Sequence, residues 1–141
     1  MIRKAEPSDL AAVHALMTAY VTPPWSESAT LDAINNERCT FLVDCDGGAL
    51  NGYVCIETVL GEGCVMSIAV SEDRRRSGLG GALLDAALSA AGAESVYLEV
   101  CESNAAAIAL YSSRGFRTAG ERKKYYGEKS AYIMRKGAGE N

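Results

Sequence analysis

The stretch Arg75-Arg76-Ser77-Gly78-Leu79-Gly80-Gly81 constrains this chain more than any other. It lies shortly after the apolar run Val65-Met66-Ser67-Ile68-Ala69-Val70 and runs directly into a Leu/Ala-rich helical pattern ending at Ala91. A strand, a charged loop, glycines and then a helix leave main-chain N–H groups unpartnered at the positive end of a helix. Such an end is an anion site. Glycine is useful there because a Cβ would hold an incoming phosphate away from the amides. Arg75 and Arg76 add guanidinium charge suited to phosphate oxygens. The pattern therefore predicts a phosphorylated cofactor; the plainer alternative is an ordinary loop with a surface arginine cluster.

Two common phosphate binders are excluded by spelling. A Walker loop ends in Gly-Lys-Ser or Gly-Lys-Thr, and neither occurs in the chain. A dinucleotide fingerprint, G-x-G-x-x-G, needs a third glycine where Leu83 stands, and its glycines sit hard against the strand. Here residues 71–77 intervene. That spacing suits an elongated ligand, with a diphosphate at the glycines and an arm running back along Ile68-Ala69-Val70.

The rest of the chain reads as a single domain over residues 1–141, without repeats, low-complexity segments or linkers. A short strand at 2–5 precedes a helix from Ser8, a plausible N-cap, to Tyr20, with Leu10, Val13, Leu16, Met17 and Tyr20 as its apolar stripe. Thr22-Pro23-Pro24 ends it, and a second helix is expected over 26–36. Strands at 40–45, 52–60 and 64–70 follow at hairpin spacing, joined by Asp46-Gly47-Gly48 and Gly61-Glu62-Gly63. A helix at 78–91, a strand at 95–101, a helix at 104–114 and strands at 116–122 and 131–136 complete an α+β mixed sheet.

Composition removes several function classes. The first residues are polar and no apolar run is long enough to span a bilayer, so the expectation is a cytoplasmic protein with no membrane partner. The five cysteines (Cys39, Cys45, Cys55, Cys64, Cys101) include no C-x-x-C pair, and His14 is the only histidine. Structural thiols and no metal site are expected, with His14 a surface or packing residue. A net charge of −4 argues against direct nucleic-acid binding and suits a cationic acceptor such as an amine.

Two side chains stand out chemically. In the strand 95–101, Val96, Leu98 and Val100 share one face, so Tyr97, Glu99 and Cys101 share the other. A carboxylate in so apolar a strand faces a site, water or a cationic partner. Asn104, Ile108 and Tyr111 fall at i, i+4 and i+7 on one stripe of the last helix. Tyr111 is then either a half-buried core residue or a phenol aimed at the cofactor.

R-x-x-G-x-G after a strand is the pyrophosphate motif of the GNAT superfamily of acyltransferases, and Arg75 to Gly80 resembles it at every fixed position. Ile68-Ala69-Val70, Leu98-Glu99-Val100, the run from Ser103 to Tyr111, and Gly115-Phe116 resemble the RimI-type branch, the ribosomal-protein alanine N-acetyltransferases. Pro24-Trp25-Ser26 and Tyr125-Tyr126 are similar to that branch as well. The resemblance implies the GNAT acyl-CoA N-acyltransferase fold, acetyl-CoA as cofactor, and acetyl transfer to a protein N-terminal α-amine, a ribosomal protein beginning with alanine being the nearest acceptor.

It further implies Glu99 as a general base acting through water and Tyr111 as the acid at the leaving thiolate. Arg75, Arg76, Ser77, Gly78, Leu79, Gly80 and Gly81 would cradle the pyrophosphate, the main chain of Ile68, Ala69 and Val70 would pair with pantetheine, and Asn104 would hold the cofactor near its thiol. Trp25, Tyr125 and Tyr126 fit a peptide groove and a packed lid equally. The chain departs from the branch in having only Gly127-Glu128-Lys129-Ser130 between Tyr126 and Ala131, with Ser130 where an acidic residue is usual. Two other readings stay open: acetylation of lysine side chains or small amines, and a non-catalytic acyl-CoA-binding regulatory module.

Overall fold

The computed structural model describes residues 1–126 and 129–137, with the backbone alone at 124–126. Its strands are β1 (Ile2–Lys4), β2 (Cys39–Asp46), β3 (Ala49–Val59), β4 (Glu62–Val70), β5 (Ser95–Cys101), β6 (Arg117–Tyr126) and β7 (Lys129–Gly137). Its helices are α1 (Leu10–Tyr20), α2 (Glu27–Asn35), α3 (Leu79–Ala91) and α4 (Ala105–Ser113). The strands form one sheet in the order β1-β2-β3-β4-β5-β7-β6. All neighbours are antiparallel except β4 and β5, which are parallel. The mixed, mostly antiparallel sheet flanked by helices is the expected architecture.

Period-two alternation divides the core between the two faces of the sheet. One face packs Val54, Ile56, Val65, Val96, Leu98 and Val100 against Leu83, Leu84 and Ala87 of α3 and Tyr111 of α4. The other packs Phe41, Val43, Tyr53, Cys55 and Ala69 against Val13 and Met17 of α1 and Ile34 of α2. Side chains such as Leu83 and Leu84, with no exposed surface, each stabilise the fold by about 1.5–3 kcal/mol through burial. Gly52 lets α3 lie close to β3, because a Cβ there would meet Leu83 Cδ1 at 2.8 Å and the Ala69 carbonyl at 3.1 Å.

Several local expectations need correction. Ser8 does not cap α1: Pro7–Asp9 form a 3-10 turn, and Glu6 and Asp9 make a reciprocal capping box around it. Ser26 does cap α2, accepting from the Ala29 N–H at 3.0 Å. The β3–β4 turn is Leu60-Gly61, both at positive φ, the geometry a two-residue hairpin requires. Glu62 and Gly63 therefore belong to β4, where Gly63 is a packing glycine whose Cβ would crowd Ala93, Ile56 and Val96. Lys129 and Ser130 likewise belong to β7, not to the connection before it.

Candidate active site

The site begins with a fault in the sheet. β4 pairs with β5 over only three positions, Glu62↔Ser95, Gly63↔Val96 and Cys64↔Tyr97. Immediately afterwards the β3–β4 register shifts, from Cys55↔Ser67 to Ile56↔Val65, leaving Met66 as an extra residue on β4. A bulge bends and twists its strand, and from Val65 onward β4 and β5 have no paired positions. The sheet thus opens into a gap between two parallel strands.

The main chain of β4 faces this gap in a definite pattern. The Ser71 N–H donates to the Asn51 carbonyl at 2.8 Å. Alternation along an antiparallel pair then turns the polar main-chain groups of Ala69 toward Tyr53, and those of Ile68 and Val70 away from β3, into the gap. Ala69 therefore has no main-chain group to offer a cofactor arm, and its methyl is buried on the α1/α2 side. The Ala69 backbone is committed to β3.

At the wide end of the gap stands the N-terminus of α3. Gly78 is its N-cap in the left-handed conformation, φ +86°, with open space where a Cβ would lie. The first backbone bond of the helix is Ala82 N–H to the Gly78 carbonyl at 3.0 Å. Among the described residues no hydrogen bond is made by the N–H groups of Arg76, Ser77, Gly78, Leu79, Gly80 or Gly81. Six consecutive free donors at a helix end fit a diphosphate. The Ser77 hydroxyl is turned onto the Arg74 carbonyl.

Gly81 has a second reason to be glycine. A Cβ there would collide with Arg114 Nη2; the guanidinium crosses the helix at that point to pair with Asp85 at 3.1 Å. Arg75 is not free either. Its Cζ sits 4.4 Å over the Tyr20 ring, and its Nε donates to the Val70 carbonyl at 3.4 Å.

Glu99 and Tyr111 lie on opposite faces of the sheet. Tyr111 belongs to the α3/α4 core with Leu98 and Val100, edge-on to Phe116 at 5.8 Å. Burial pushes its phenol up to about 12, and no hydrogen bond occupies its hydroxyl among the described residues. Glu99 lies on the other face, its side chain about a quarter exposed, with Oε1 2.8 Å from Arg122 Nη2. Arg122 reaches it because β6 and β7 place Arg122 opposite Ala131 and Glu99 opposite Ile133. Asn104, an exposed residue, caps α4, its Oδ1 accepting from the Ala107 N–H at 3.1 Å, which leaves the amide Nδ2 without a partner among the described residues.

Two open cavities lie on the Glu99 side. The first, about 320 Å³, is lined by Trp25, Asp32, Cys39, Cys55, Glu57 and Met66 among others. The second, about 310 Å³, shares Glu57 and adds Glu62, Cys64 and Tyr97. Among the described residues no cationic side chain lines either one. Trp25 is held by its own backbone, its N–H donating to Met17 Sδ at 3.4 Å and its carbonyl accepting from His14 Nε2 at 2.8 Å. His14 is therefore a packing residue. The side chains of Tyr125 and Tyr126 lie outside the described residues.

All five cysteines are free, and no group of potential ligands among the described residues could hold a metal ion. No helix among them is long and apolar enough to cross a membrane.

A glycine-capped helix beside a strand gap, with a carboxylate on one face of the sheet and a buried phenol on the other, is an architecture with known owners. The chain belongs to the acetyltransferase (GNAT) family, whose model matches residues 10–116. It is 37% identical over 140 residues to the [ribosomal protein bS18]-alanine N-acetyltransferase of Escherichia coli (strain K12), with 94% of each chain covered. The crystal structure of the ribosomal-protein-S18-alanine N-acetyltransferase from Escherichia coli matches over 100% of this chain and 97% of that one, with 36% identity and a TM-score of 0.90. An N-alpha-acetyltransferase of Sulfurisphaera tokodaii is 37% identical over 115 residues, covering 70% of this chain and 68% of the relative.

Sequence reasoning missed three residues at this site. Arg122, Tyr20 and Arg114 each act across the fold from the motif they touch, and nothing in their local sequence marks them.

Proposed function

We propose that this protein transfers the acetyl group of acetyl-coenzyme A to the α-amine of a protein N-terminus, the nearest acceptor being a ribosomal protein that begins with alanine. The observation that carries the reading is the strand gap with an ionisable carboxylate on one face and a buried phenol on the other. Identity of 37% along nearly the whole length of a bacterial alanine N-acetyltransferase supports the choice of acceptor.

The free N–H groups of residues 76–81 hold the diphosphate, and the gap-facing main chain of Ile68 and Val70 pairs with the amide-bearing arm. Asn104 offers its Nδ2 to that arm near the thiol end. When bound, acetyl-CoA supplies an activated thioester and a thiol leaving group. The acceptor enters from the Glu99 side, where the cavity-lining carboxylates favour a cation.

Little base strength is needed. An α-amine of pKa ~8 is roughly one-fifth neutral near pH 7.4, whereas a lysine at ~10.4 is only about 0.1% neutral. Glu99 removes the amine's proton through a water molecule, which one carboxylate at hydrogen-bonding distance can do. Main-chain donors along the gap stabilise the negative charge that develops on the acyl oxygen. Tyr111, fully protonated across the physiological range, gives its proton to the departing thiolate.

Mass spectrometry of ribosomal proteins from cells with and without the gene tests the acceptor. One alanine N-terminus should lose its acetyl group when the gene is removed; an unchanged ribosomal set would exclude that substrate. A panel of N-terminal, lysine and polyamine acceptors tests the chemistry, and turnover should be confined to α-amines.

A further inference from the structure

Arg75 opens the phosphate motif, yet it is held by a residue far outside that motif. Tyr20 closes α1 and is 39% exposed. Its ring lies under the Arg75 guanidinium, with Cζ 4.4 Å from the centroid, and its hydroxyl accepts from the Glu72 N–H at 3.1 Å. One side chain thus grips the loop 71–78 at two points, by a cation–π contact and a hydrogen bond.

The consequence for Arg75 is a fixed pose. Its Nε donates to the Val70 carbonyl, which faces the gap, and among the described residues no hydrogen bond or ion pair engages its two Nη groups. A free arginine side chain loses rotamer entropy when it is pinned on an anion. Stacking on Tyr20 removes part of that freedom before the anion arrives. The guanidinium stays by the Val70 carbonyl, at the end of β4 from which the chain leads into the free N–H row.

We propose that Tyr20 is a positioning residue for the cofactor diphosphate, acting through Arg75. It also ties the cofactor loop to the end of α1, beyond which the chain runs to Trp25 and the acceptor-side cavity. This inference rests on the cofactor part of the function proposed above and is independent of the acceptor.

Calorimetric titration of coenzyme A and of acetyl-pantetheine, which lacks the diphosphate, into the full chain tests it without turnover. Tyr20→Leu should weaken coenzyme A by about two- to fivefold, the scale of an exposed cation–π contact. Tyr20→Phe, which keeps the ring, should recover most of that loss. Acetyl-pantetheine should bind Tyr20→Leu and wild type alike. In the Arg75→Ala background, which should itself weaken coenzyme A, Tyr20→Leu should have no further effect.

Equal weakening of both ligands by Tyr20→Leu would overturn the proposal, since that marks general damage to the fold. So would unchanged coenzyme A affinity in Tyr20→Leu or Arg75→Ala, or additive losses in the double variant. Failure to acetylate any N-terminus, with these affinities as expected, would count against the acceptor and leave the role of Tyr20 standing.

Discussion

Tyr111 pairs a chemical assignment with a thermodynamic consequence. Its phenol rises from an ordinary value of 10.0 to about 12 because burial disfavours the phenolate. The stability this burial gives the folded state is complete below pH ~10 and is lost as pH rises from there toward 12, by up to about 3 kcal/mol. Tyr111→Phe keeps the ring against Phe116 and removes the titrating group. Urea denaturation of the variant should lose less stability than wild type between pH 9 and 11 (a window set by the phenol's ordinary value of ~10), and an identical decline would contradict the burial argument. At neutral pH the same variant should fold normally while kcat falls about 10²-fold or more, as should that of Glu99→Gln. Both positions were readable from strand alternation and helix periodicity. The ion pair between Glu99 and Arg122 was not, because it depends on β7 lying between β5 and β6.

At the level of the element, α3 shows how neighbouring glycines serve different ends. Gly78 needs the left-handed region, at φ +86°, and its Cβ position faces open space. Gly78→Ala should cost about 1–2 kcal/mol of stability from backbone strain alone and should also weaken coenzyme A. Gly81 has ordinary helical backbone, and its substitution displaces only the far end of the Arg114 side chain. The loss is an exposed ion pair of about 0–1 kcal/mol, offset by a helix-propensity gain of similar size. Gly81→Ala should therefore leave stability within about 1 kcal/mol of wild type. Thermal melts of the two variants separate these cases, and a large loss at Gly81 with none at Gly78 would reverse the account.

Spelling alone marked all these glycines as one phosphate cradle. The role of Gly81 depends on where α4 deposits Arg114, which no local pattern reveals. The turn at Leu60-Gly61 was hidden similarly: Gly61-Glu62-Gly63 looks like turn chemistry, but Gly63 is a glycine for packing reasons.

Across the whole molecule, the proposed function depends on a sheet whose β4–β5 pairing is incomplete. The order of strands and helices was legible, because it follows from periodicity within a short window, whereas strand ends such as Ala49 of β3 and Lys129 of β7 were not. The gap between β4 and β5 was not legible either. It arises from a single extra residue, Met66, and from a parallel pairing that stops after Cys64, both of which are relations between distant segments. In the proposed mechanism it is this gap that would join the helix end, the Ile68 and Val70 main chain, Glu99 and Tyr111 into one site. A crystal structure of the protein with coenzyme A tests this most directly. The account predicts the diphosphate on the N–H groups of residues 76–81, the arm bonded to Ile68 and Val70, and the sulfur between Tyr111 and Glu99. Phosphates bound elsewhere, or an arm lying outside the gap, would contradict it.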